Sequence, residues 1–172
     1  MTAPTELSPP RRSLLCSILG VIAALAVVAL LVATVVLAVD YRNDRKIEKA
    51  RTDAVDSASR QAVAMLAYDF KNADTELPKA ADGLTGDFKD QYKVLIDKTI
   101  IPGAKEKQLS VKVSVQGASV VSATKDTVVA LLFLNQVTTS KDTPQAVTSG
   151  SRVRMNVHKE DGRWLVSELT PI

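Results

Sequence analysis

Residues 151–170 of the chain, SRVRMNVHKEDGRWLVSELT, decide the fold. Their first half alternates between apolar and polar residues, and this period of two is the signature of a half-buried strand. Glu160-Asp161-Gly162 then favours a tight turn, since glycine tolerates the positive φ that such turns require. Trp164 to Thr170 predicts the returning strand. The apolar residues of the first strand are Val153, Met155 and Val157, and the polar ones are Arg152, Arg154, Asn156 and His158.

Strand patterns continue upstream of this hairpin. Val111, Val113 and Val115 alternate with polar residues, and Gly117 separates them from a further apolar run. Thr127 to Thr138 is rich in valine and leucine and contains Phe133, which is typical of a central strand. The sequence therefore predicts four or five antiparallel strands, with a separate strand at Ala118–Ala123, a turn at Lys125-Asp126 and a loop at residues 141–144.

The region before the strands favours helix. Residues from Tyr41 to about Phe70 lack proline and glycine and place alanines and larger apolar residues on one face. Lys71 to Gly83 is polar, contains Pro78 and is predicted to be a loop. Thr85 is then the expected N-cap of a short helix with Asp87 in its first turn. Its apolar face consists of Phe88, Tyr92 and Leu95, and it is predicted to end before Pro102-Gly103.

Helices followed by a run of hairpin-linked strands predict an α+β domain, in which the helices pack on one face of a curved antiparallel sheet.

A long apolar run precedes this domain. Leu14 to Val39 are 26 consecutive residues without Asp, Glu, Lys, Arg or His. As a helix they would extend roughly 39 Å, which exceeds the hydrocarbon core of a bilayer, about 30 Å. A single transmembrane helix is therefore predicted. A cleavable signal peptide ending at Val36-Leu37-Ala38 remains an alternative, although the run is long for one. A lipoprotein anchor is rejected, because Cys16 begins the run instead of following it.

These features divide the chain into four parts. The sequence predicts a disordered tail at residues 1–13, the membrane helix at residues 14–39, a helical stalk at residues 40–53 and the α+β domain at residues 54–172. Lys and Arg flank the membrane helix on both sides, so charge alone leaves the orientation open.

Residues able to carry out catalysis are scarce. The chain has one histidine, His158, on the polar side of its strand, and one cysteine, Cys16, inside the apolar run. A Ser- or Cys-based triad would depend on His158 alone, and a His-rich metal site is excluded within one chain. No glycine-rich phosphate-binding motif occurs. We therefore expect no catalytic, cofactor-binding or metal-binding residues; Asp82, Asp87, Asp90 and Asp97 are better explained by helix capping and solvation, and Asp161-Gly162-Arg163-Trp164 by a turn with one aromatic anchor.

Nucleic acid is not an expected partner. From Asp40 onward, 20 Lys and Arg face 18 Asp and Glu, so the domain carries a net charge of only +2. The densest basic segment, Arg42 to Arg51, has acidic residues between its cations. This pattern suits a solvated helix near lipid headgroups better than a groove for a polyanion.

Several segments taken together resemble the Mce-associated membrane proteins of actinobacteria. They are the lone apolar segment, the alanine-rich charged helix, Leu84-Thr85-Gly86-Asp87-Phe88 with Tyr92, Pro102, Phe133-Leu134-Asn135-Gln136, and the stretch from Asp161 to Pro171. The resemblance covers most of the chain beyond residue 40. It implies a fold like that of nuclear transport factor 2 (NTF2-like) and of the periplasmic domain of VirB8, on a domain that faces the cell envelope.

The resemblance also implies a function. Such proteins accompany Mce lipid and sterol import complexes, so we expect a non-catalytic accessory protein of the plasma membrane. Its N-terminus is expected in the cytoplasm and its domain outside. The expected partners are membrane lipids, Mce transporter subunits or a second copy of the chain. The alternatives are a VirB8-like scaffold of another envelope or secretion machine, and a lipid-binding NTF2-like pocket, which requires an apolar cavity of several hundred Å³, on the scale of known ligand sites.

Overall fold

A computed structural model describes the backbone of residues 11–172 and the side chains of residues 25, 27, 28 and 30–172. The helices are α1 (Arg11–Leu66), α2 (Ala73–Ala80), α3 (Gly86–Leu95) and α4 (Ile101–Lys107). A 3₁₀ turn (Ala81–Gly83) follows α2, and a π-helical turn (Ile96–Ile100) joins α3 to α4. The strands are β1 (Tyr68–Asp69), β2 (Ser110–Ala123), β3 (Thr127–Thr139), β4 (Val147–Glu160) and β5 (Arg163–Pro171).

The chain divides into two compact units, residues 1–44 and residues 45–172. The first unit includes the part of α1 up to Asp44. Within the described residues, no helical stretch combines the length and the apolar character needed to cross a membrane. The predicted tail at residues 1–10 lies outside the described residues, and so do the side chains of residues 14–24, 26 and 29 of the predicted membrane helix.

The second unit is an α+β domain built on one sheet, as the sequence predicted. The five strands are antiparallel neighbours in the order β1-β2-β3-β4-β5. Alternate residues of β3 and β4 are buried on the face that carries the helices, and Val153, Met155 and Val157 are among them. The predicted inward phase of β4 is therefore confirmed.

The buried side of α1 is a row of alanines. Ala54, Ala58 and Ala62 are fully buried, and Ala50 is 4% exposed. Their spacing of four residues places them on one face of the helix. These small side chains allow the helix to lie close to its neighbours. Ser57, the residue before Ala58, donates a hydrogen bond of 3.0 Å to the carbonyl oxygen of Trp164.

The β4–β5 turn has the geometry that its sequence predicted. Asp161 and Gly162 both have positive φ, 48° and 81°, as the two central residues of a type I′ turn require. The segment before α3 attaches to this hairpin, because the Thr85 amide donates to the carbonyl oxygen of Val166 at 2.9 Å and the Thr85 hydroxyl donates to a carboxylate oxygen of Glu160 at 2.8 Å. Thr85 is the N-cap residue of α3 as predicted, but its side chain serves this contact and makes no capping bond.

Two glycines should respond to alanine substitution in opposite directions. Gly162→Ala forces a side chain into positive φ and is expected to lower the free energy of unfolding by about 1 kcal/mol. Gly103 lies in α4, and a Cβ there would meet no atom within 4 Å. Gly103→Ala is therefore expected to raise stability by roughly 0.4–1 kcal/mol. Urea denaturation measures the change in the free energy of unfolding of each variant. A stabilising effect of Gly162→Ala would contradict the turn assignment.

Several sequence predictions about element boundaries were wrong. The helix expected to reach Phe70 ends at Leu66, because Tyr68 and Asp69 pair with Val111 and Ser110 as β1. The loop expected at Lys71–Gly83 is mostly helical, since α2 buries Leu77 together with alanines at both of its ends.

Two predictions that rested on a proline and a glycine were also wrong. The helix expected to stop before Pro102 continues as α4, because proline in a first helical turn removes no needed donor. The strand expected to begin after Gly117 is part of β2. Bulges between Val115 and Gly117 and between Val120 and Ser122 shift its register instead of ending it.

Candidate binding pocket

A pocket of about 470 Å³ lies between α3, the π-helical turn and the sheet of the second unit. Its size falls within the usual range of small-molecule sites, roughly 300–1,000 Å³. The helical wall includes Phe88, Leu95 and Ile100, and the sheet contributes Val111 and Leu169. Most of the surface is therefore hydrocarbon.

Helical periodicity explains how α3 forms its wall. Phe88, Tyr92 and Leu95 recur at the spacing that places side chains on one face of a helix, and Ile96 and Ile100 continue the wall through the π-helical turn. Turns of this kind are rare and frequently occur at functional sites. Tyr92 and Ile96 are buried, whereas Leu95 is 50% exposed and forms part of the rim.

Tyr92 has a structural role in this wall. Its hydroxyl lies 3.3 Å from the carbonyl oxygens of Met65 and Leu77, to either of which it can donate. Burial raises the pKa of Tyr92 well above its ordinary value, so the phenol stays protonated. The residue joins the end of α1 to α2 and is not free to act on a ligand.

Four polar side chains line the pocket without a hydrogen-bond partner among the described residues: Tyr68, Gln91, Gln136 and Thr138. Three of them lie on the sheet, where they are half-buried. Burial also raises the pKa of Tyr68, so its hydroxyl remains a donor. These groups can give hydrogen bonds to a ligand and accept them from it.

No residue lining the pocket carries a formal charge. A site of this composition has no carboxylate, imidazole or ammonium group for proton transfer and no anionic ligands for a metal ion. Its chemistry suits reversible binding of an apolar molecule with few polar atoms.

His158 does not line this pocket; it lies in an adjoining groove with Asn156 and Glu168, and Phe88 and Gln91 of α3 line both. Its Nδ1 is 3.3 Å from the hydroxyl oxygen of Thr127, and its side chain is half-buried on the polar side of β4. The Glu168 carboxylate accepts hydrogen bonds from the side chains of Asn156 at 2.6 Å and Thr170 at 3.1 Å. No cluster of three or more potential metal ligands occurs in the part of the chain that the structure describes.

The structure places the other residues singled out in the sequence as follows. Asp82, Asp87, Asp90 and Asp97 are all exposed on helical turns, and none lines the pocket. Cys16 lies outside the described side chains. Of the Thr85–Phe88 segment, only Phe88 reaches the pocket.

Sequence reasoning missed how the pocket is assembled. The sequence predicts the apolar face of Phe88, Tyr92 and Leu95, but it places Tyr68 in the helix expected to reach Phe70 and gives Gln136, near the end of the strand at Thr127–Thr138, no role. The available signal was the polar pair Gln136 and Thr138 on the inward phase of an otherwise apolar strand.

Comparisons with known proteins add family and fold. A family model described as "Uncharacterized protein Rv1363c/MT1408-like" matches residues 15–171. One curated relative, "Outer membrane protein Rv1973" of Mycobacterium tuberculosis, is 40% identical over 124 residues, which cover 72% of this chain and 76% of the relative.

Solved structures of type IV secretion proteins share the fold. An IcmL-like protein from Legionella pneumophila gives a TM-score of 0.59 at 17% identity, covering 71% of this chain and 93% of the other. CagV, a VirB8 homolog from Helicobacter pylori, gives 0.56 at 8% identity, covering 70% and 96%. The prediction of a VirB8-like α+β domain is therefore confirmed.

Proposed function

Because the chain belongs to the Rv1363c/MT1408-like family and has the fold of VirB8-like domains, we propose that it is a non-catalytic, membrane-anchored accessory protein of the cell envelope. In this role it stabilises or helps assemble an Mce-type lipid import complex. The alternative role is that of a scaffold subunit in another envelope or secretion machine, and the VirB8-like fold is the observation that favours it.

The apolar segment itself is the observation that supports the proposed membrane anchor. Its described residues leave large apolar side chains uncovered: Leu30, Leu37 and Val39 are 66%, 67% and 50% exposed. Exposed apolar surface of this extent marks contact with a membrane or another protein. Together with 26 residues free of charge from Leu14 to Val39, it supports a single membrane-spanning helix.

The proposed orientation places the N-terminus in the cytoplasm and the α+β domain outside the plasma membrane. Lys and Arg flank both ends of the apolar segment, so the support for this orientation is the resemblance to the Mce-associated membrane proteins. The relative Rv1973 is named an outer membrane protein, which agrees with an envelope location.

The proposed absence of catalysis is supported by the composition of the pocket. Its described wall offers hydrogen bonds and apolar contact but no formal charge. His158 and Glu168 do not line it, and each contacts a neighbouring polar side chain, Thr127 and Asn156 respectively.

Affinity purification from native membranes tests the proposal. The full chain with a C-terminal tag is expected to co-purify lipid-import permease or Mce subunits in a mild detergent, whereas an equally tagged, unrelated single-pass protein is not. Recovery of secretion subunits alone would favour the scaffold role. Recovery of neither class would overturn both.

Proteolysis of spheroplasts tests the orientation. Added protease is expected to remove the C-terminal tag without permeabilisation. Cleavage only after the membrane is opened would overturn the proposed topology.

A further inference from the structure

The pocket between α3 and the sheet has a composition that selects its ligand. Apolar side chains dominate it, and its volume is about 470 Å³. A second groove of about 530 Å³ beside α1 is lined in part by four charged residues, Asp53, Asp56, Arg60 and Arg163. Of the two, the pocket between α3 and the sheet suits a hydrocarbon chain, because a chain that binds in it removes no charged side chain from water.

The lack of charge in the lining restricts the ligand further. An anionic headgroup carried into this pocket would find no Lys, Arg or His to pair with it. An unpaired buried charge is strongly disfavoured. The ligand is therefore uncharged at its buried end.

Polar groups on the sheet side are arranged in a row. Tyr68 on β1 and Thr138 on β3 are both paired with Val111 of β2, so the three residues adjoin one another on the same face. Gln136 lies on the same face two residues along β3, and Gln91 adds an amide from α3. None of the four side chains has a hydrogen-bond partner among the described residues. A ligand with an alcohol, ester or amide group could satisfy several of them at once.

We propose that this pocket binds one uncharged amphiphile, an acyl chain that ends in a neutral hydrogen-bonding group. The chain packs against Phe88, Leu95 and Ile100. The neutral group lies against Tyr68, Gln136 and Thr138. Leu95, half exposed at the rim, is the point at which the chain enters. This binding activity is independent of which complex the protein serves.

Adjacent residues of α3 provide a matched pair of variants. Leu95 lines the pocket and is 50% exposed, whereas Val94 is 52% exposed and does not line it. Leu95→Glu and Val94→Glu thus add the same charge to the same helix at equal exposure. Neither residue belongs to the buried core, so both variants should fold, and circular dichroism of each checks this.

The experiment uses the full chain in phosphatidylcholine nanodiscs with a photoreactive monoacylglycerol whose acyl chain carries a diazirine. A fatty acid with the same labelled chain, ionised at pH 8.5, serves as the charged probe. After irradiation, adducts are mapped by peptide mass spectrometry. Adducts on residues 14–39 report partition of each probe into the bilayer and normalise the result.

We expect monoacylglycerol adducts on peptides that contain Phe88 to Ile100. Leu95→Glu is expected to reduce them by about tenfold or more, since placing an unpaired charge at an apolar contact costs more than about 1.4 kcal/mol. Val94→Glu should change them less than about twofold.

Two results would overturn the proposal. One is equal loss of adducts in both variants, or no adducts on these peptides in the parent chain. The other is equally strong labelling by the ionised fatty acid, which would remove the requirement for an uncharged ligand. Absence of adducts on residues 14–39 would contradict the membrane anchor instead, so the two failures are distinguishable.

Discussion

Replacing Trp164 with alanine is expected to lower the free energy of unfolding by about 3–5 kcal/mol, the usual cost of deleting a buried aromatic side chain. Trp164 is 9% exposed at the start of β5 and belongs to the core. Its backbone carbonyl receives the hydrogen bond from Ser57, so the same residue joins the sheet to α1. The Lys159 ammonium also lies 5.6 Å from the centre of the ring, in range of a cation–π contact.

Trp164→Phe is the matched control for this prediction. The indole Nε1 is buried and makes no hydrogen bond within the described chain. Replacement by phenylalanine therefore removes no hydrogen bond, and it leaves a smaller cavity than replacement by alanine. Its cost is expected to be less than half that of alanine. Thermal melting measures both; for a domain of this size, the alanine variant should melt roughly 10 °C lower. An unchanged melting temperature would refute the role of Trp164 as an anchor.

Replacing Leu77 with alanine is expected to destabilise the domain by about 2–5 kcal/mol. Leu77 is fully buried in α2, and its carbonyl oxygen is one of the two acceptors near the Tyr92 hydroxyl. The substitution leaves the backbone acceptor in place but opens a cavity beside it. Urea denaturation of the full chain measures the loss.

Lys79→Ala on the same helix is the control. The Lys79 side chain is 69% exposed and forms an ion pair of 3.0 Å with Glu76. Such exposed pairs contribute little, so the expected change is within about 0.5 kcal/mol. If Leu77→Ala also falls within that range, burial of Leu77 does not fasten α2 to the core.

The hairpin and its faces were predictable because local rules and burial agree there. Alternation assigned Val153, Met155 and Val157 to the core, and the Asp161-Gly162 pair specified the turn. At these positions neighbouring residues alone determine backbone conformation. The starts of β3 and of α3 were predicted correctly for the same reason, and β3 ends one residue beyond the predicted Thr138.

Helix α2 was missed because tertiary contacts override local preference. Pro78 lies inside the helix, where proline costs a backbone hydrogen bond. Burial of Ala73, Leu77 and Ala80 compensates for that loss. An ion pair of 2.6 Å between Lys105 of α4 and Asp74 of α2, which lowers the pKa of the Asp74 carboxyl, adds a contact from a distant part of the sequence. Local composition contains no information about either partner.

The sequence predicts that the domain has a cavity, but not which polar residues line it. An NTF2-like arrangement suggested an apolar cavity, but its polar row depends on which residues of β1 and β3 are paired with Val111. That pairing depends on β1, a strand of two residues that the sequence merged into a helix. Register between distant strands is set by the whole sheet.

The two bulges of β2 have a consequence for how the protein behaves in crowded solution. Beyond the short pairing with β1, the outer side of β2 has no neighbouring strand in the described sheet, and a straight free edge of this length would act as a template for another chain. Gln116 and Val121 are the extra residues at the bulges. Deleting both would keep every remaining side chain on its present face while straightening the strand, and so would make the domain prone to edge-to-edge aggregation.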